Sequence, residues 1–248
     1  MGSGPRTAWF LHGILGSGRN WRSFAARWLT DGSDWTAVLP DLRHHGASHD
    51  ETGPDTLAAV AGDLHRELPR PDAVFGHSFG GKVALVWARD HGHGHERVVA
   101  LDSPPGGDRP GTDPASDPVR VLEVLRSTPA HDRAAARAHL AAAGFAPSIV
   151  DWLLTSLVRD GNVWRWTYNL DGIEALLNDY FATDLRPLID VPRDTPLHFV
   201  RAGLSDRWDP ETVRALEASR HVRYDVVPNA GHWLHVERPD AVRELLRP

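Results

Sequence analysis

In Gly76-His77-Ser78-Phe79-Gly80-Gly81 a single serine stands among glycines, directly after one apolar run and directly before an apolar pattern of helical spacing. If a strand ends at the serine and a helix begins beside it, the chain must turn within one or two residues. Such a turn strains the serine backbone, and glycine two positions before and two after removes Cβ atoms that would collide there. The hydroxyl then projects from the C-terminal edge of a sheet at a helix N-terminus, where backbone N–H groups and the helix dipole stabilise an oxyanion. The pattern points to Ser78 as a nucleophile, and a serine in that role needs a base. Among 15 histidines, His232 in "PNAGHWLHVERP" lies just past the last strand pattern, on a glycine-flanked turn at the same edge as Ser78. His235, three residues on, reads as packing at the start of a helix. One oxyanion donor is the N–H of Phe79. A second is expected from "FLHGILGSG", where the chain leaves its first strand at His12-Gly13 and the N–H of Ile14, or of Leu15, can turn into the site.

These residues require a frame that brings strand ends together. Six β-rich runs, at 7–13, 36–42, 73–78, 97–103, 196–203 and 222–231, are apolar on both faces, as buried parallel strands are. Helical patterns separate most of them; 57–68 places Leu57, Val60, Ala61, Leu64 and Leu68 on one face, and 20–29 repeats the spacing with Trp21, Phe24, Ala25, Trp28 and Leu29. Strand, helix, strand over most of the length means a parallel α/β sheet covered on both faces. The alternation breaks once, where a Gly/Pro/Asp-rich loop opens a segment with helical patterns at 118–127, 131–143, 147–158 and 171–180. A parallel crossover needs only about a dozen residues. Here roughly ninety separate the fourth run from the fifth. The expected organisation is therefore a core of 1–107 and 191–248 with a helical cap, 108–190, inserted over one end of the sheet.

At 248 residues and 41% apolar content the chain can bury a large core. Its net charge of −6, with arginines scattered among carboxylates, leaves no footprint for nucleic acid. With no cysteine there is no disulfide framework, thiolate nucleophile or Cys-bearing zinc site. The N-terminal apolar stretch is too short for a signal sequence, and no run approaches the roughly 18 apolar residues of a membrane span. A cytoplasmic protein without a membrane partner is expected. "HGHGHE" at 91–96 reads as a surface turn rather than a metal site, so no metal or other cofactor is expected. Trp152, Trp164 and Trp166 fall in the cap segment, where they can pack its core or wall an acyl pocket, and "DLRHHGAS" could bring Arg43 or His44 to the pocket rim.

Taken together, "LHGILGSGRNW", "DLRHHGAS", "GHSFGGKVAL", "ALDSP", "WTYNLDGI" and "PNAGHWLHVERP" resemble the α/β-hydrolase superfamily. Within it the chain is similar to the esterase and acyl-hydrolase branch of YbfF-type esterases and the abhydrolase-11 group, from about residue 8 to 246. The resemblance implies an α/β-hydrolase fold with a cap and a triad acting on a small-molecule acyl ester or thioester through an acyl-enzyme. Members usually carry two antiparallel strands ahead of the one ending in His-Gly. Only about six residues precede it here, so the sheet is expected to start at that strand and leave an edge that other members cover. The resemblance leaves the acid open. The usual superfamily position, in "VRAGLSDRW", holds Asp206, whereas the branch recurrently carries the aspartate of "ALDSP", Asp102, and often has a serine where Ser205 stands. Asp171 in "NLDGI" is a third candidate, more in keeping with a helix N-cap in the cap. The same constellation also serves C–C hydrolases, lyases and cofactor-free perhydrolases, and the scaffold can serve ligand binding without turnover.

Overall fold

The computed structural model describes residues 1–29, 34–107 and 117–247. Its strands are β1 (Arg6–Leu11), β2 (Trp35–Val38), β3 (Ala73–His77), β4 (Arg97–Leu101), β5 (Leu157–Asp160), β6 (Val163–Trp166), β7 (Leu197–Ala202) and β8 (Arg223–Val227). Its helices are α1 (Arg22–Trp28), α2 (Leu57–Glu67), α3 (Phe79–His91), α4 (Pro118–Ser127), α5 (Arg133–Ala142), α6 (Pro147–Leu154), α7 (Leu170–Ala182), α8 (Pro210–Ala218), α9 (Leu234–Glu237) and α10 (Pro239–Leu245).

Six strands form one sheet in the order β2-β1-β3-β4-β7-β8, and every neighbouring pair is parallel. This is the parallel α/β sheet expected from the alternating pattern, and it agrees with the fold that the resemblance implied. Successive side chains of a strand face opposite sides of the sheet. Trp9 and Leu11 accordingly pack with α2, α3 and α8, while Ala8 and Phe10 pack with α1 and α10. On α2, Leu57, Val60, Ala61 and Leu64 form the buried stripe, and the helix starts where the Thr56 side chain accepts the N–H of Ala59. Each central strand is shorter than its apolar run, because the run continues into the loop that carries the site; the run at 222–231 leaves the sheet at Val227.

The sheet's edge on this side is β2 rather than β1. Asp34 accepts the N–H of Arg6 of β1, so Ala37, three positions on, presents its amide and carbonyl to the other side. There Met1 donates its amino group to the Ala37 carbonyl and accepts the Ala37 N–H, so the N-terminus lies along that edge.

Between β4 and β7 lie α4 to α7 and a β-hairpin, β5–β6. The loop 108–116, expected to open this insertion, lies outside the described residues. The hairpin corrects the expectation of unbroken helix over 147–158. Helix α6 stops at Leu154, and Asp160 pairs directly with Val163 across a two-residue Gly161-Asn162 loop. Gly161 has φ +60°, the left-handed geometry that such tight hairpin loops require. The insertion builds its own apolar cluster from Leu122, Leu140, Leu153, Leu154, Ile173 and neighbours, and one residue of the sheet domain, Leu15, belongs to it. A second tie is Lys82 on α3, fully buried, whose ammonium donates to the carbonyls of Gly106, Tyr180 and Thr183.

Candidate active site

The turn between β3 and α3 has the geometry the glycines foretold. Ser78 sits at φ +53°, ψ −118°, a conformation costly for a residue with a side chain. A Cβ on Gly76 would overlap the Gly80 carbonyl, and one on Gly80 would come within 2.5 Å of the carbonyl oxygens of Leu11 and His12. The two glycines thus let strand, helix and the neighbouring β1 end close on one another. The strained serine is pinned on both sides of its peptide: its N–H donates to Leu101, and its carbonyl accepts the Ser103 hydroxyl at 2.7 Å.

His232 lies on the loop between β8 and α9. That loop is braced by Glu237, whose carboxylate accepts the N–H of Gly231 at 2.7 Å, and by His77, whose Nε2–H donates to the His232 carbonyl at 2.8 Å. The imidazole meets Asp102, which follows β4 with φ +42°: Nδ1 and Oδ2 are 2.7 Å apart. The other carboxylate oxygen of Asp102 accepts from the Trp208 indole N–H at 2.8 Å and from the Ala202 N–H at 3.1 Å. Burial works to raise the Asp102 carboxyl, but the hydrogen bonds from His232, Trp208 and Ala202 outweigh it and hold the group below the ordinary carboxylate range. The carboxylate therefore stays ionised, and it fixes the proton of His232 on Nδ1, leaving Nε2 free to accept one. Burial draws the His232 imidazole below the ordinary histidine value despite the opposing pull of Asp102, although 23% of its side chain opens to the cavity.

The loop after β1 is held from three sides. The Gly13 carbonyl accepts from His12 Nδ1 at 2.8 Å and from the Gly16 N–H at 3.0 Å. Because the Gly13–Ile14 peptide is trans, its N–H points opposite that carbonyl, and Ile14 lines the cavity around Ser78. The alternative donor, the Leu15 N–H, is already spent on His45 Nε2 at 3.0 Å. His45 in turn donates Nδ1–H to the Arg43 carbonyl, so it is neutral in one tautomer, and burial keeps it so. Leu15 itself is left-handed, φ +59°, and its carbonyl accepts the Tyr168 hydroxyl. The loop that would receive an oxyanion is thus clamped by His45 of the sheet domain and by Tyr168 of the insertion.

Ser78 stands where two cavities meet. One of about 410 Å³ is lined by Ser78, His232, Ile14, Ile149, Trp152 and Trp233. The other, of about 40 Å³, is lined by Ser78, Phe79, Leu177, Tyr180 and Phe181, and Arg207 borders both. Among the described residues no group of three or more His, Cys, Asp or Glu side chains is arranged to hold a metal ion.

A family model for the alpha/beta hydrolase family matches residues 10–245. The chain belongs to the alpha/beta hydrolase family. It is 31% identical to sn-1-specific diacylglycerol lipase ABHD11 of Mus musculus, over 96% of this chain and 80% of that protein. It is 29% identical to Esterase YbfF of Escherichia coli, over 96% of this chain and 90% of that one. Among solved structures it is similar to a marine microorganism esterase, with TM-score 0.80 and 25% identity, covering 98% of this chain and 94% of that one. The chain is an α/β hydrolase of the esterase and lipase type.

In this α/β hydrolase the two candidate acids occupy different surroundings. Asp102 is buried against His232, whereas Asp206 is exposed beyond the turn Gly203-Leu204-Ser205, and the hydrogen bond at Nδ1 goes to Asp102. Asp171 is exposed in an ion pair with Arg126, and the cap of α7 is Asn169, not Asp171. Of the three tryptophans, Trp152 lines the cavity that holds Ser78 and His232. Trp164 lies near Arg133, and Trp166 stacks on Tyr168, so both pack the insertion instead. Arg43 is not at a rim: it is buried and holds Asp63 with two nitrogens at 2.9 Å each. His44 is buried too, against Asp55. His235 is buried and stacked on Trp21, at the start of α9. Sequence reasoning passed over Trp208, Tyr168 and Trp233. Trp208 is the last residue of "VRAGLSDRW" and Tyr168 lies within "WTYNLDGI", so both stand in the motifs without any pattern to mark them. Among the described residues no helix is long and apolar enough to cross a membrane.

Proposed function

We propose that this α/β hydrolase cleaves carboxylic esters or thioesters of small molecules by way of an acyl-enzyme on Ser78. Ser78 Oγ attacks the acyl carbonyl while His232 Nε2 takes its proton. Asp102 holds the ring in the tautomer that can do so and stabilises the imidazolium that forms. The N–H groups of Phe79 and Ile14 receive the oxyanion. His232 then passes the proton to the departing alcohol or thiol, and in the second half it activates the water that releases the acid. The insertion expected over 108–190 acts as a cap, its described residues supplying apolar wall such as Trp152 and clamping the oxyanion loop through Tyr168.

The observation that carries this reading is the buried Asp102–His232 pair facing the same cavity as a serine held at φ +53°. Such strain persists where surrounding structure enforces it, and here the strained serine and the imidazole line one cavity. The test is turnover of p-nitrophenyl acetate by the parent, Ser78→Ala and His232→Ala. Both variants are expected to lose at least about a thousandfold in kcat while keeping the parent's circular dichroism and Tm. Residual kcat within tenfold of the parent in Ser78→Ala overturns the assignment.

A further inference from the structure

We propose that the preferred substrates of this site pair a short acyl group, no longer than about butyryl, with a bulky apolar leaving group. The proposal rests on the hydrolase reading above and adds to it the direction in which an ester lies.

The direction follows from where the proton must go. When the tetrahedral intermediate collapses, the bond between the acyl carbon and the leaving oxygen breaks, and the proton that His232 took from Ser78 passes to that oxygen. The leaving group therefore lies on the side that His232 lines, and the acyl chain lies on the side it does not. Both cavities share Ser78 and Ile14, but His232 borders only the one of about 410 Å³. The acyl side is the cavity of about 40 Å³ beside the Phe79 N–H.

Size then sets the class. A water needs about 10–15 Å³ of such space, so the acyl cavity accepts about three heavy atoms beyond the carbonyl. Its walls are fixed. Pro104 and Gly106 follow β4 on one side, and Leu177, Tyr180 and Phe181 of α7 stand on the other. Lys82 ties those two walls together by donating to the Gly106 carbonyl at 2.6 Å and to the Tyr180 carbonyl at 2.8 Å. Widening the acyl cavity would separate a fully buried ammonium from acceptors on one wall or the other, which is costly. The opposite side offers Ile149, Trp152 and Trp233, an apolar surface suited to a hydrocarbon or aryl alcohol.

Two ester series separate the sides. In p-nitrophenyl esters from acetate to decanoate, kcat/KM is expected to fall by at least about tenfold between butyrate and octanoate, since a methylene that does not fit costs about tenfold or more. In acetate esters of alcohols from ethanol to octanol, followed by acid release, it is expected to rise by at least about tenfold. Leu177→Ala should shift the acyl cut-off toward longer chains and keep the slope of the alcohol series, whereas Trp152→Ala should flatten the alcohol series. If Leu177→Ala does not fold, the parent's two slopes decide alone. Ser78-dependent turnover that improves with acyl length and is indifferent to the alcohol overturns the proposal while leaving the hydrolase reading in place. Absence of turnover in both series, or turnover unaffected by Ser78→Ala, overturns the hydrolase reading and this proposal with it.

Discussion

Replacing Asp102 with asparagine changes one oxygen for an amide nitrogen, and the surroundings dictate which one. Oδ1 accepts two hydrogen bonds, from the Trp208 indole at 2.8 Å and from the Ala202 N–H at 3.1 Å. An amide NH₂ cannot accept either, so the asparagine must keep its oxygen there and turn its NH₂ toward His232 Nδ1. Nδ1 then has to accept, the ring proton moves to Nε2, and the atom that must take the serine proton already carries one. The expected loss is about 10⁴ in kcat, equivalent to about 5 kcal/mol of transition-state stabilisation at 1.36 kcal/mol per decade. Asp206→Asn alters an exposed group that does not meet the ring, and it is expected to stay within about tenfold of the parent, far from the loss a triad acid incurs. The assay is steady-state kcat on p-nitrophenyl acetate, with Tm measured alongside. Asp102→Asn within tenfold of the parent, or a collapse in Asp206→Asn, would refute the reasoning.

The base role proposed for His232 fixes the sign of the pH dependence. Neutral imidazole is the active form and burial lowers its pKa, so kcat/KM should be flat at neutral pH and fall on the acid side with a midpoint below 6.5; a midpoint above that value contradicts the assignment. Tyr168→Phe leaves the buried Leu15 carbonyl without its hydroxyl partner, which is expected to cost about 1–3 kcal/mol in urea denaturation. Because Leu15 adjoins Ile14, the proposed oxyanion donor, kcat should drop several-fold with KM little changed, and an unaltered kcat would detach Tyr168 from the oxyanion loop. Gly80→Ala drives a Cβ against the carbonyls of Leu11 and His12, and unfolding free energy should fall by at least about 1–3 kcal/mol; parental stability would show that α3 and β1 can separate at no cost.

The sheet and the strained turn at Ser78 were readable because both depend largely on local pattern. Runs apolar on both faces, bounded by turn residues, suit buried parallel strands, and Gly76 is demanded by a collision with Gly80 only four residues along the chain, although Gly80 itself meets the distant carbonyls of Leu11 and His12. The hairpin was missed although Asp160-Gly161 is a hairpin signal. The apolar residues of 147–158 extend the helical spacing past Leu154, and that pattern hid the turn. The choice between Asp102 and Asp206 was beyond local reading. Both follow adjacent strands, β4 and β7, and the outcome depends on the φ of +42° at Asp102 and on an indole N–H six residues after Ala202. Arg43 looked like a rim residue because it follows a strand, but its partner Asp63 lies 20 residues away on α2, and that pairing draws it inward. The clamp of Tyr168 and His45 on Leu15 spans up to 153 residues and has no sequence signature.

The central claim is that one serine among the glycines carries the acyl group, and covalent labelling tests it most directly. After treatment with a fluorophosphonate, intact mass should rise by a single phosphonyl group, and peptide mapping should place it on Ser78. The label should be absent from Ser78→Ala and strongly slowed in His232→Ala. A label on another residue, or ester turnover that continues at the parental rate in fully labelled protein, would contradict the account.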